Sequence, residues 1–234
     1  MHDVEIRREI IERVLARRHK LHLWDTLDPA ATALVVIDMQ ATFVAEGAPA
    51  EVPESRRICD NINALAAASR DLGVKVIWVT HANTGANIGD GTASDWPGFF
   101  DNFVAREVRE RTIESLRPDG EGQRVWRALH VDDADLTIQK NRYSALIPGS
   151  SPLERILRGH GIGNVLIAGT KTNVCCEATA RDAMMLDFNV VMVSDCLAAL
   201  SDDEHRASLE TFIQQFGDVM DHREVLAVLR DRPT

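Results

Sequence analysis

Polar and apolar positions along this chain fall into short apolar runs separated by amphipathic stretches. Ala33-Leu-Val-Val-Ile-Asp38, Val74-Lys-Val-Ile-Trp-Val-Thr80, Leu136-Thr-Ile-Gln-Lys140, Asn164-Val-Leu-Ile-Ala168 and residues 189–194 read as strands, with residues 218–220 as a short sixth. Helical periodicity occupies residues 56–72, 152–159, 173–186 and 202–215, and a last helix follows residue 220. Pro152 suits the first turn of its helix. Near-continuous Val/Ile/Leu strands are buried on both faces, so their alternation with helices predicts an α/β protein. The expected architecture is a three-layer, Rossmann-like fold with a mainly parallel sheet of about six strands and helices on both faces.

Two segments break this rhythm. Residues 3–19 form a charged amphipathic helix ahead of the first strand, part of a helical arm over residues 1–30. That arm is expected to pack on the domain or on a neighbouring subunit. Residues 81–134 are too long for a simple connection and hold a Gly/Asn-rich stretch, Asn83 to Gly91, followed by Trp96-Pro-Gly-Phe-Phe100. Insertions of this length are often lids or binding loops, and an interface role is the alternative. Residues 1–234 contain no internal repeat and read as a single domain.

Composition narrows the classes. A formal net charge of −10 argues against nucleic acid or an anionic membrane as partner. No apolar run approaches a membrane span, and residues 1–20 carry charges of both signs without a signal-peptide core, so a cytoplasmic protein is expected. Four cysteines are too few for a disulfide framework in a chain of 234 residues. Eight histidines show no metal-ligand spacing, and the glycines at 85, 89 and 91 do not follow a strand with nucleotide-binding spacing, so no metal and no cofactor are expected.

The chemistry lies at strand ends. Asp38, Lys140 and the pair Cys175-Cys176 all follow apolar runs, and the C-terminal ends of parallel strands form the ligand crevice of an open sheet. The cysteines sit where a strand gives way to a helix, a position whose free N–H groups and dipole favour a thiolate. Consecutive helical residues point about 100° apart, so one cysteine faces the crevice and the other packs as a small hydrophobe. The same divergence speaks against a relaxed disulfide between them.

Three motifs carry a family resemblance: Leu34-Val-Val-Ile-Asp-Met-Gln40, Lys140-Asn-Arg-Tyr-Ser144, and Gly169-Thr-Lys-Thr-Asn-Val-Cys-Cys-Glu-Ala-Thr-Ala-Arg-Asp-Ala183. In this order they resemble the isochorismatase-like cysteine hydrolases, a group that includes nicotinamidases, N-carbamoylsarcosine amidohydrolases and ureidoacrylate amidohydrolases. The wording of the third motif is most similar to the carbamoyl and ureido-acid amidohydrolases. The resemblance implies a triad of Asp38, Lys140 and Cys175 and an oxyanion hole formed by the backbone N–H groups of Lys171 and Cys175. It places a cis peptide at Thr170–Lys171. It also implies C–N bond hydrolysis of a small linear amide, carbamoyl or ureido substrate through a thioester, without a cofactor, in a homodimer or homotetramer. Vinyl-ether hydrolysis of the isochorismatase type and an inactive binding relative are the alternatives.

Departures from the family narrow the reading. Nicotinamidases carry an Asp-x-His and further histidines after the second strand, whereas Thr80-His-Ala-Asn-Thr-Gly-Ala-Asn87 has a single histidine. His81 is left open between a substrate contact and a satisfied loop histidine. Gln40, Phe43, Asn83, Trp96, Arg142 and Tyr143 are candidate substrate-binding residues, Arg142 because a guanidinium can hold a carboxylate by two bonds. The Lys171 side chain stands where the family usually has a small apolar residue, and the sequence offers no role for it.

Overall fold

The computed structural model describes residues 2–82, 104–117 and 120–231. Six strands form one parallel sheet among these residues: β1 (Thr32–Ile37), β2 (Lys75–His81), β3 (Leu136–Lys140), β4 (Asn164–Thr170), β5 (Asn189–Ala198) and β6 (Asp218–Met220), in the order β3-β2-β1-β4-β5-β6. The helices are α1 (Arg8–Arg18), α2 (Ala41–Val44), α3 (Cys59–Leu72), α4 (Arg106–Ser115), α5 (Leu153–Gly159), α6 (Glu177–Met185), α7 (Asp202–Gln215) and α8 (His222–Arg230). The expected three-layer α/β architecture is therefore the observed one.

Alternation along β1 shows how the layers are built. Ala33, Val35 and Ile37 join a core with Ile10 and Val14 of α1, Leu153 and Leu157 of α5, Ala180 of α6, and Leu209 and Phe212 of α7. Leu34 and Val36 point the other way, into a core with Ile62 and Leu65 of α3 and Val225 and Leu229 of α8. Every β1 residue is buried, which is why the strand reads as unbroken Val, Leu and Ile rather than as an alternating pattern. The arm packs on its own domain: Arg7 grips Glu210 of α7 through Nε at 2.9 and 3.0 Å, beside buried Ile10 and Val14.

Boundaries differ from the periodicity in three places, each for a local reason. The helix expected from residue 173 opens with a π-helical turn, Thr172–Cys176, before α6 starts at Glu177. Strand β5 runs to Ala198 because Gly169 and Thr170 of β4 pair with Leu197 and Ala198 past a register shift. The insertion contributes α4, where no helix was expected.

The sheet order reverses between β1 and β4, each of which connects outward to a different side. That switch point is where an open parallel sheet has its crevice. Gly169 makes the two strands meet closely there. Its φ is +113°, and a Cβ on it would lie 2.0 Å from the Ile37 carbonyl oxygen. The residue that follows Ile37 is Asp38, so the strands touch immediately below the site.

Candidate active site

Asp38 leaves β1 with φ +54° and donates its N–H to the Val79 carbonyl of β2 at 2.8 Å. Its side chain is fully buried, as is that of Lys140 at the end of β3. Register brings them together, because His81 of β2 is opposite Lys140 and Val79 is opposite Ile37. Lys140 Nζ lies 2.9 Å from Asp38 Oδ2, 3.1 Å from His81 Nδ1 and 3.0 Å from the Arg142 carbonyl oxygen. An ammonium group has three N–H donors, and three acceptors surround this one. Because the ammonium can only donate, His81 Nδ1 accepts, which puts the proton of a neutral His81 on Nε2.

Among the described residues the Asp38 side chain is held through its ion pair with Lys140 and its contact with the Cys175 thiol. Burial raises the Asp38 pKa, only partly offset by these two groups. For Lys140, burial disfavours the charge, but Asp38 and the thiol outweigh it and the pKa is raised. Burial, and next the Asp38 charge, push the Cys175 thiol up to about 12. This corrects the expectation of a thiolate favoured by a helix terminus. Cys175 sits within a buried turn ahead of α6, where the loss of water and the Asp38 charge disfavour the thiolate. The resting nucleophile candidate is a thiol beside a carboxylate.

Cys175 and Lys171 line one cavity of about 530 Å³, together with Asp38, Phe43, His81, Tyr143, Thr170 and Val174. The Thr170–Lys171 peptide is cis, and the Lys171 carbonyl accepts from the N–H groups of Val174 and Cys176 at 3.1 and 3.2 Å. Cys176 points away. It is wholly buried, its Sγ lies 3.9 Å from the Ala168 carbonyl oxygen, and burial raises its pKa well above the ordinary thiol value.

Candidate binding residues divide into three groups. Phe43 and Tyr143 line the cavity. Gln40 and Arg142 are not among its lining residues. Gln40 donates to the carbonyls of His81 and Gln123 at 3.1 and 3.0 Å and accepts from the His81 N–H at 2.6 Å, so it orders the backbone under the site. Arg142 gives Lys140 a carbonyl, and its guanidinium bonds the Asn141 carbonyl at 2.9 Å. Asn83 and Trp96 lie outside the described residues.

Part of the cavity wall went unread in the sequence. Val104, Val108, Thr112 and Leu116 recur every four residues, with Arg109 beside them, and form one face in and around α4. That stripe is a helical signal inside a segment otherwise dominated by loop composition. Among the described residues no group of three or more His, Cys, Asp or Glu is placed to hold a metal ion. No helix among them is long and apolar enough to cross a membrane.

A doubly wound parallel sheet with buried acid, base and thiol at its switch point is the build of an α/β enzyme with a small-molecule crevice. The sequence matches the isochorismatase domain over residues 32–224. The chain belongs to the isochorismatase family and is a hydrolase of that family. It is 28% identical to the ureidoacrylate amidohydrolase RutB of Klebsiella variicola over 83% of this chain and 86% of that one. It is 29% identical to the RutB of Acinetobacter baylyi over 83% and 82% of the two chains. The crystal structure of a cysteine hydrolase from Pseudomonas syringae pv. phaseolicola 1448A superposes with a TM-score of 0.77 at 28% identity, covering 90% of this chain and 97% of that one.

Proposed function

We propose that the protein is a cysteine-dependent amidohydrolase that cleaves the C–N bond of a small linear amide, carbamoyl or ureido compound. The observation that carries this reading is the buried Asp38–Lys140 ion pair touching the thiol of Cys175 at the floor of a cavity. Similarity to ureidoacrylate amidohydrolases supports the substrate class.

The reaction starts from the neutral thiol. Asp38 takes the thiol proton as sulfur attacks the amide carbonyl, forming the C–S bond and moving an electron pair onto oxygen. Lys140, held by three acceptors, keeps its charge and favours the developing thiolate. Backbone N–H groups of Lys171 and Cys175 are the proposed oxyanion donors. When the C–N bond breaks, Asp38 returns the proton to the departing nitrogen, which leaves as ammonia or an amine. Asp38 then takes a proton from water as water attacks the thioester, and returns it to sulfur as the C–S bond breaks, so the carboxylic or carbamic acid is released with the thiol restored.

The test is ammonia release from a panel of small amides and ureido acids by the wild type, Cys175→Ala and Cys176→Ala. Loss in Cys175→Ala alone is the expected result. Loss in Cys176→Ala alone would mean the other thiol reacts. Turnover of isochorismate that needs Asp38 but survives Cys175→Ala would replace this reading with vinyl-ether hydrolysis.

A further inference from the structure

The turn that carries Cys175 is held from behind by a chain of buried polar groups that takes no part in the proposed bond-making. Thr172, the first residue of the turn, is fully buried, and its Oγ1 lies 2.8 Å from His205 Nδ1 in α7. His205 is almost wholly buried and stacks on His2, with ring centroids 4.4 Å apart and planes 17° apart. One turn further along α7, Ser208 Oγ lies 2.7 Å from Glu177 Oε2 and 3.5 Å from the Thr172 carbonyl oxygen. Helix α7 therefore grips the residues on both sides of the cysteine pair.

His2 is locked in one state by its partners. The Ala199 backbone N–H lies 2.9 Å from His2 Nε2, and a backbone N–H can only donate, so Nε2 carries a lone pair. The proton is then on Nδ1, which faces Asp202 Oδ1 at 2.6 Å. His2 presents its ring face to His205. Burial holds the His205 pKa well below the ordinary imidazole range, so that ring of the stack is neutral. The segment is fastened along its length, because five residues on Arg7 holds Glu210 of the same helix through its backbone N–H and its guanidinium.

We propose that His2 is a positioning residue: stacked on His205, it fixes that imidazole against Thr172 and so holds the Thr172–Cys176 turn where Cys175 faces the cavity. The catalytic consequence rests on the reading of Cys175 given above. The effect on the turn does not, and the two are separable by experiment.

Amide hydrogen exchange over residues 171–177 is measured by mass spectrometry in the wild type, His2→Ala, Thr172→Val and Thr172→Ser, with β1 as the internal reference. In parallel, kcat and KM are measured on whichever amide the wild type turns over. Exchange of the turn rises about tenfold or more in His2→Ala and Thr172→Val, while β1 is unchanged and Thr172→Ser, which keeps the hydroxyl, behaves as wild type. The same two variants lose about 10- to 100-fold in kcat with KM within about twofold, the cost expected for a misplaced reacting group. Unchanged exchange in His2→Ala and Thr172→Val overturns the proposal, as does a rise shared equally by β1, which would mark general packing loss. Faster exchange with an unchanged kcat also overturns it. A wild type that hydrolyses no amide refutes the proposed reaction instead, and the exchange data then decide alone whether His2 holds the turn.

Discussion

Lys140 and Asp38 form an ion pair at 2.9 Å with neither side chain exposed to solvent. Two charges removed from water are stabilised only by each other and by their hydrogen bonds, so deleting one partner leaves a buried charge without compensation. Lys140→Met should lower unfolding free energy by about 3–5 kcal/mol, read from urea denaturation at pH 7. Adding Asp38→Asn should recover part of that loss, because a neutral amide beside methionine no longer carries the desolvated charge. Both single variants and the double variant should lack hydrolytic activity. Since the folded-state pKa of Lys140 is raised above 10.5, the lysine's contribution stays whole through the neutral range and fades only as pH climbs past that value. A Lys140→Met protein as stable as the wild type would refute the buried-pair account.

The same pair sets the pH profile. A general base must be ionised to accept the thiol proton, and burial raises the Asp38 pKa above 3.8. The acid limb of kcat/KM should therefore lie above the ordinary carboxylate range and rise by one decade per pH unit. The thiol, pushed up to about 12, should add no second rise between pH 7 and pH 9. A limb centred near pH 8–9 would indicate preformed thiolate and remove Asp38 from the role of base. Alkylation of Cys175 by iodoacetamide at pH 7 should be correspondingly slow.

Much of this site was legible because its residues sit at the ends of strong strands. Asp38 and Lys140 terminate apolar runs, and parallel topology alone brings such ends to one edge of the sheet. What could not be read was direction. Gln40 and Arg142 lie two residues beyond Asp38 and Lys140 in sequence, yet Gln40 turns under the site to hold the His81 backbone, and Arg142 gives Lys140 its carbonyl. His2 was equally hidden, since nothing local in the sequence reveals a stack with a residue 203 positions away. The α4 wall was obscured because its stripe of Val104, Val108, Thr112 and Leu116 sits among Arg and Glu residues that read as solvated.

An acid whose carboxylate is enclosed, Asp135, offers a stability test remote from the chemistry. Asp135 accepts from Arg70 Nε and Nη2 at 2.9 and 2.7 Å, from Trp78 Nε1 at 2.8 Å and from the Asp132 N–H at 3.0 Å. Asp135→Ala orphans the buried Trp78 indole and should cost about 2–4 kcal/mol, with little effect on KM. Burial works against its ionisation, but Arg70, Trp78 and the Asp132 N–H outweigh burial and lower its pKa. A lowered folded-state pKa means the stabilisation is present above the unfolded value, near 3.9, and is lost as pH falls through the folded one. The stability gap between wild type and Asp135→Ala should thus be constant from about pH 8 to pH 5 and shrink below about pH 4. A gap that widened with acid would reverse the assigned sign.

Gly169 is the position where fold and site are most tightly coupled. Its φ of +113° is one that side-chain-bearing residues rarely adopt, and a Cβ would lie 2.0 Å from the Ile37 oxygen and 2.7 Å from the Ile37 nitrogen. Both atoms are backbone of the central strand, so neither can swing aside as a flexible side chain would. Gly169→Ala must therefore widen the β1–β4 gap or twist β4 out of register. Strain of about 1–3 kcal/mol at the residue itself adds to the cost of moving a buried strand. Asp38 is one residue beyond Ile37 and Lys171 two beyond Gly169, so the displacement falls on the proposed base and the proposed oxyanion donor together. We expect Gly169→Ala to lower the melting temperature and to reduce kcat by more than about tenfold even in protein that remains folded by circular dichroism. Gly161, which also has a positive φ but nothing within 4 Å of its Cβ position, is the control. Gly161→Ala should lose about 1 kcal/mol from backbone strain alone and keep its kcat. Equal kcat in the two alanine variants would show that the strand contact at Gly169 does not govern the placement of Asp38.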